Sequence, residues 1–222
     1  MRIVKFVLAL MTTLNVTFVS CQNLNKDYLD SYPIVEDEII NIGSYINGNV
    51  QIMSKDEAIK YVYNEDSTKL YCNDLIYDGV TEEIYGTTKE EYIPSKCFRI
   101  NYDDFFLIAY TSFECDLKGV ANVQLCHLVI YDKMYAPQDT LIIYYDDGYD
   151  YSISGYYNSL NCKLYLYDST KIKSVKSFLY KINQSTLKFE EIRRYDGDIN
   201  VPLEKQIEAL GWGDLFYSDD CE

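Results

Sequence analysis

A single histidine, His127, stands in the 222 residues of this chain. Any Ser-His-Asp or Cys-His site must be built around that one ring, which sits between Leu125 and Val129 on an apolar run. The plainer role for a lone histidine there is a hydrogen-bonded core residue. No GxSxG, HExxH, P-loop or dinucleotide-type glycine pattern occurs, which removes the commonest recognisable hydrolases, metalloproteases and nucleotide enzymes. CxxC motifs and Cys/His clusters are also missing, so the sequence implies no metal centre and no cofactor. Basic residues are scarce: 20 Lys and Arg face 35 Asp and Glu, for a net charge of -15. Such a chain repels nucleic acid and anionic lipid headgroups, and leaves a protein or a glycan as its partner. Long apolar runs are lacking too. Phe6 to Val19 is broken by Thr12, Thr13, Asn15 and Thr17, and is too short and polar to span a membrane.

That first stretch reads as a targeting segment. Arg2 and Lys5 supply a basic start, and residues 1–20 would be removed on export. Phe18-Val19-Ser20-Cys21 resembles the lipobox of bacterial lipoproteins, with a small residue directly before the cysteine. The resemblance implies that Cys21 becomes the lipidated N-terminus of an envelope lipoprotein, touching the membrane only through that anchor. A plain secretory signal cleaved after Cys21 is the alternative. Residues 21–33 are expected to be a polar tether ending at Pro33, and residues 34–222 a single β-rich domain.

Export opens the remaining six cysteines, Cys72, Cys97, Cys115, Cys126, Cys162 and Cys221, to disulfide formation. Cys115 and Cys126 bound a short connection between two strong strands and are the easiest pair to imagine. Buried free thiols in strands are the other reading.

What the chain has in quantity is tyrosine, with 24 copies. Tyrosine suits strands and surfaces that are apolar at one end and wet at the other. Thr140–Gly155 reads as a hairpin closed on Asp147-Gly148, a pair favoured in two-residue turns. That register sets Asp146 opposite Tyr149, Tyr144 opposite Tyr151 and Ile142 opposite Ile153. It puts Ile142, Tyr144, Tyr151 and Ile153 on one apolar face. Phe105–Phe113 is apolar on both faces at first, as in a central strand emerging from a core. Further strands are expected at 123–131, 162–167, 177–183 and 187–193, the last two joined by a turn at 183–186. Ser54 and Glu57 form a capping box that opens a short helix over 54–64, and Thr81–Pro94 reads as an acidic loop. Pro202 and Gly211 bracket a short C-terminal helix. Cys126–Asp132 echoes Cys162–Asp168 at an offset of 36 residues, the kind of period a repeated strand unit or propeller blade would give. The fold class is therefore mainly β: an antiparallel meander, either sandwich or partial propeller-like sheet, with one short N-terminal and one short C-terminal helix.

One surface stands out for recognition. Tyr145, Tyr149, Tyr156 and Tyr157 surround the acidic tip made by Asp146, Asp147 and Asp150. Tyrosine with aspartate can meet the Arg and Lys of a basic protein, or stack on sugar rings. The expectation is a non-enzymatic binding protein that holds a protein partner, such as an immunity-type protein masking a basic toxin. A glycan-binding accessory lipoprotein is the alternative, and a carboxylate-dependent hydrolase a third reading.

Overall fold

The computed structural model describes residues 26–48, 50–77, 84–115, 122–146, 151–170 and 174–198, with Pro202, Lys205, Glu208 and Ala209 beyond them. Lys205, Glu208 and Ala209 are helical, and the rest of the expected C-terminal helix lies outside the described residues. The signal segment and Cys21 lie outside them too. Among the described residues no helix is long and apolar enough to cross a membrane.

The architecture is mainly antiparallel β, as the alternation of residues implies. Among the described residues twelve strands follow in order: β1 (Ile39–Asn41), β2 (Gln51–Ile52), β3 (Tyr71–Tyr77), β4 (Ile84–Glu91), β5 (Ser95–Asn101), β6 (Phe105–Cys115), β7 (Asn122–Asp132), β8 (Pro137–Asp146), β9 (Tyr151–Asn158), β10 (Lys163–Thr170), β11 (Ser174–Asn183) and β12 (Lys188–Asp198). Strands β5 to β12 form one meander, with β2 added beyond β5 and β1 paired to β9; β3 and β4 form a separate hairpin. The polar run expected as a loop at 81–94 is thus partly strand, because β4 pairs with β3 along its length, Tyr71 opposite Glu91.

The meander folds back on itself at the joint between β8 and β9. Among the described residues these two pair only at Tyr145–Ile153 and Asp146–Ser152. Beyond that they part, and β1 takes the freed edge of β9, Ile40 opposite Tyr157. The far strand β12 returns to β8, where the Phe189 amide donates to Asp139 Oδ2 at 2.9 Å. One core lies between the two halves, with Phe98, Leu107, Leu128 and Ile143 from one and Tyr157, Leu164, Leu166 and Ile182 from the other. A second core covers the outer face of β6, where Phe106 and Ile108 pack under Tyr28, Leu29, Tyr32, Met53, Ala58, Tyr63 and Leu70. Strand β6 is therefore buried on both faces over Phe105–Ala109, as its unbroken apolar run requires.

Two helices belong to this outer layer, α1 (residues 26–30) and α3 (Lys55–Glu57), which widens into a π-helical turn over Ala58–Val62, whereas α2 (Ile42–Gly48) packs Ile42 and Ile46 into the first core. The Ser54–Glu57 capping box is present in both directions. The tether expected over 21–33 is corrected in its described half. Tyr28, Leu29 and Tyr32 are buried, so the packed structure already includes residues 28–32, ahead of Ile34.

Three further expectations change. The two-residue turn at Asp147-Gly148 is not the register adopted. Asp146 faces Ser152, three residues from the expected Tyr149, and a bulge in β8 leaves Ile143 buried and Ile142 40% exposed. An odd shift in a strand exchanges its faces, so Ile143 takes the core position expected for Ile142. The 36-residue echo is no structural repeat either. Its copies fall on β7 and β10, three antiparallel steps apart, so they run in opposite directions. Third, Cys126 is not bridged to Cys115. Cys97, Cys126 and Cys162 are free and buried, whereas Cys72 is disulfide-bonded. Burial, and then the neighbouring Cys97 thiol, push the Cys126 thiol well above its ordinary value. Cys97 and Cys126 flank β6 on opposite sides. Two strand spacings of roughly 4.8 Å each separate their backbones, beyond the roughly 7 Å a disulfide tolerates.

A cleft built around Ser112 and His127

The candidate site lies where β6 outruns its neighbour. Pairing between β5 and β6 stops at Lys96–Tyr110, while β6 continues to Cys115 paired, among the described residues, with β7 alone. The connection from α3 to β3 crosses over this open end. It leaves the helix through Asn64 and Glu65, both with positive φ, a conformation that asparagine tolerates. It then turns on Asp66, whose Oδ1 accepts from the Thr68 amide at 3.0 Å and the Thr68 hydroxyl at 2.6 Å. Those two donors hold the Asp66 carboxyl below its ordinary value.

Between connection and sheet is a cleft of about 460 Å³. Val62, Tyr63, Thr68, Lys69 and Tyr71 form one wall; Tyr110, Ser112, Phe113, Glu114 and His127 form the other. His127 lies opposite Tyr110 across the β6–β7 ladder, and the two rings stack at 5.0 Å with an interplanar angle of 23°. Ser112 follows Tyr110 by two residues and so points to the same face. Its Oγ lies 2.8 Å from His127 Nε2. Burial lowers the His127 pKa, with the Glu114 carboxylate opposing it, so the ring is neutral at pH 7. A neutral ring carrying its hydrogen on Nδ1 accepts the Ser112 proton at Nε2. Next along β6 the Phe113 amide donates to Tyr63 Oη at 3.2 Å. Among the described residues the Tyr63 hydroxyl hydrogen has no acceptor, and burial raises the Tyr63 pKa. The arrangement offers aromatic walls, one hydroxyl–imidazole pair, one hydroxyl donor, and Lys69 with Glu114 as balanced charges.

Of the residues picked out from the sequence, the described ones do not share one surface. Tyr157 is fully buried; Tyr157 and Tyr102 share a hydroxyl hydrogen bond of 2.7 Å, and Tyr102 donates on to Ser159 O at 2.9 Å. Tyr156 lies on the other face of β9, packed with Tyr165 and Leu179. Tyr145 and Asp146 are half-buried at the end of β8, where Asp146 Oδ2 accepts from Tyr144 at 3.3 Å. Asp147, Tyr149 and Asp150 lie outside the described residues. Sequence reasoning named His127 as the only base a nucleophilic site could use, but missed Ser112 and Tyr63. The missing signal was the β6–β7 register, since serine fifteen positions before histidine means nothing until the hairpin aligns them. Among the described residues no cluster of three or more His, Cys, Asp or Glu is placed to hold a metal. No protein-family model matches this chain, and no curated protein or solved structure is similar enough to be counted a relative.

Proposed function

We propose that the chain is an exported binding protein, held in a bacterial envelope by lipid at Cys21, that seats a glycan in the cleft beside Ser112 and His127. The observation that carries the glycan reading is the lining of that cleft. Tyr63, Tyr71, Tyr110 and Phe113 line it with aromatic side chains, and Thr68, Ser112 and His127 set hydrogen-bonding groups among them. Small-ligand sites combine a largely apolar wall with a few placed polar groups, and a sugar ring presents an apolar face rimmed by hydroxyls. Lys69 and Glu114 balance in charge, so the ligand is neutral.

The test is a glycan array probed with full-length protein in detergent, at low and high salt. Binding to a neutral saccharide is expected to survive high salt, because no net charge attraction drives it. Tyr71→Ala is expected to weaken it at least tenfold while leaving the fold intact, since Tyr71 is 36% exposed. The protein-partner reading is supported by the net charge of -15. A basic protein captured at low salt and released at high salt, with an empty array, would establish that reading in place of the cleft. The anchor has its own test: an alkyne fatty acid fed to a lipoprotein-processing bacterium should label the wild-type chain, and Cys21→Ala should remove the label.

A further inference from the structure

We propose that Ser112 is a nucleophile with His127 as its general base, and that the substrate is a carboxylic ester carried by the saccharide in the cleft. This rests on the cleft being the ligand seat and adds the chemistry done there. A serine hydroxyl is a weak nucleophile until a base takes its proton, and the diagnostic geometry is a hydrogen bond between the two. Ser112 Oγ and His127 Nε2 make that bond at 2.8 Å on the cleft wall. The Tyr110 ring stacked on the imidazole fixes its plane. Tyr63, holding the amide of the residue after Ser112, keeps its own hydrogen for a developing oxyanion. A histidine filling core space would need neither a bordering cleft nor a second hydroxyl donor beside its partner.

The reaction proceeds in two halves. Ser112 Oγ attacks the ester carbonyl carbon and its proton passes to His127 Nε2. The bond from carbon to the sugar oxygen then breaks, and His127 returns the proton to that oxygen, leaving a sugar hydroxyl and an acyl group on Ser112. Water attacks the acyl carbon, His127 Nε2 takes its proton, and the Ser112–acyl bond breaks as Ser112 recovers the proton. The carboxylic acid leaves, and no oxidant or cofactor enters.

The test uses full-length protein in detergent with two probes, a fluorophosphonate and glucose pentaacetate. The fluorophosphonate should add once, and peptide mapping should place it on Ser112 of the wild-type chain. Acetate release should rise with pH through the ionisation of His127, below the ordinary imidazole range. His127→Gln should slow both by about 100-fold or more, the lower part of what a general base contributes, with an unchanged circular dichroism spectrum. An adduct elsewhere, no adduct on the wild-type chain, or an adduct formed at the wild-type rate in His127→Gln would overturn the inference. Because the first two outcomes need no variant, a misfolded mutant cannot rescue it. A saccharide that binds with no labelling and no acetate release overturns the ester chemistry but leaves the seat standing. Labelling and release without saccharide binding overturns the seat.

Discussion

Glu57→Gln is expected to destabilise the protein by about 2–4 kcal/mol, because it leaves a buried lysine without its counter-charge. The Lys96 side chain is 3% exposed. Its Nζ lies 2.5 Å from Glu57 Oε1 and 2.8 Å from Ser31 Oγ, with the Tyr28 and Tyr32 rings at 5.2 and 5.8 Å. One ammonium thus joins α1, the cap of α3 and the main sheet. Glutamine keeps the capping geometry, since it too serves at that position of a capping box, so the variant removes charge and little else. Lys96→Met should cost less, because the Glu57 side chain is 31% exposed and can turn to water. Urea denaturation of both variants checks the order, and Lys96→Met proving the more harmful would sink the argument. The pH dependence has a definite sign. Burial alone would raise the Glu57 pKa, but Lys96 and the Ser54 donors together hold it below its ordinary 4.5. A carboxyl lowered on folding contributes fully above its unfolded value and loses that contribution as pH falls through its folded value. The gap between wild type and Glu57→Gln should therefore close below pH 4.5. Asp30, also lowered, keeps the wild-type curve sloping there: burial raises it, and Lys26 and Arg99 outweigh that.

How far the sequence reached can be judged from particular residues. The capping box at Ser54 was readable because it is local: two side chains and two amides within four positions decide it. The double burial of β6 was readable because Phe105–Ala109 leaves no polar face. The turn at 183–186 was readable because it too is local, with Asn183 Oδ1 accepting from the Ser185 and Thr186 amides. The hairpin at 140–155 misled because a two-residue turn is only a local preference, and the fold-back of the whole sheet overrides it. Where β8 parts from β9, the core needs Ile143 and not Ile142, and the register follows the core. Tyrosine misled in another way. Tyr157, expected on a recognition surface, instead shares its hydroxyl with Tyr102 inside the protein, as Tyr28 and Tyr32 do with each other. The Ser112–His127 pair was invisible for want of long-range register alone.

The joint that overrode the hairpin supplies the other large effect. Gly155→Ala is expected to cost more than about 4 kcal/mol, the range reserved for changes that force backbone apart. Gly155 pairs with Leu166 across β9 and β10, just where β9 leaves β8 and accepts β1. A Cβ there would land on the Tyr165 carbonyl oxygen and within 2.8 Å of its carbon. Both are backbone atoms of a paired strand, so no rotamer relieves the clash. The strands would have to separate, and Tyr157, two residues on, would lose its place in the core. Gly43→Ala is the control. Its Cβ would meet two side-chain atoms, the Ser154 hydroxyl at 3.0 Å, which can rotate away, and Asn41 Oδ1 at 3.7 Å, an ordinary contact. Inside α2 the added methyl also favours the helix, by up to about 1 kcal/mol. Thermal melts should therefore show Gly43→Ala close to or above wild type, and Gly155→Ala either insoluble or melting far below it. A Gly155→Ala protein melting with the wild type would mean that β9 and β10 do not approach this closely. The fold-back that buries Tyr157 would then lose its steric basis.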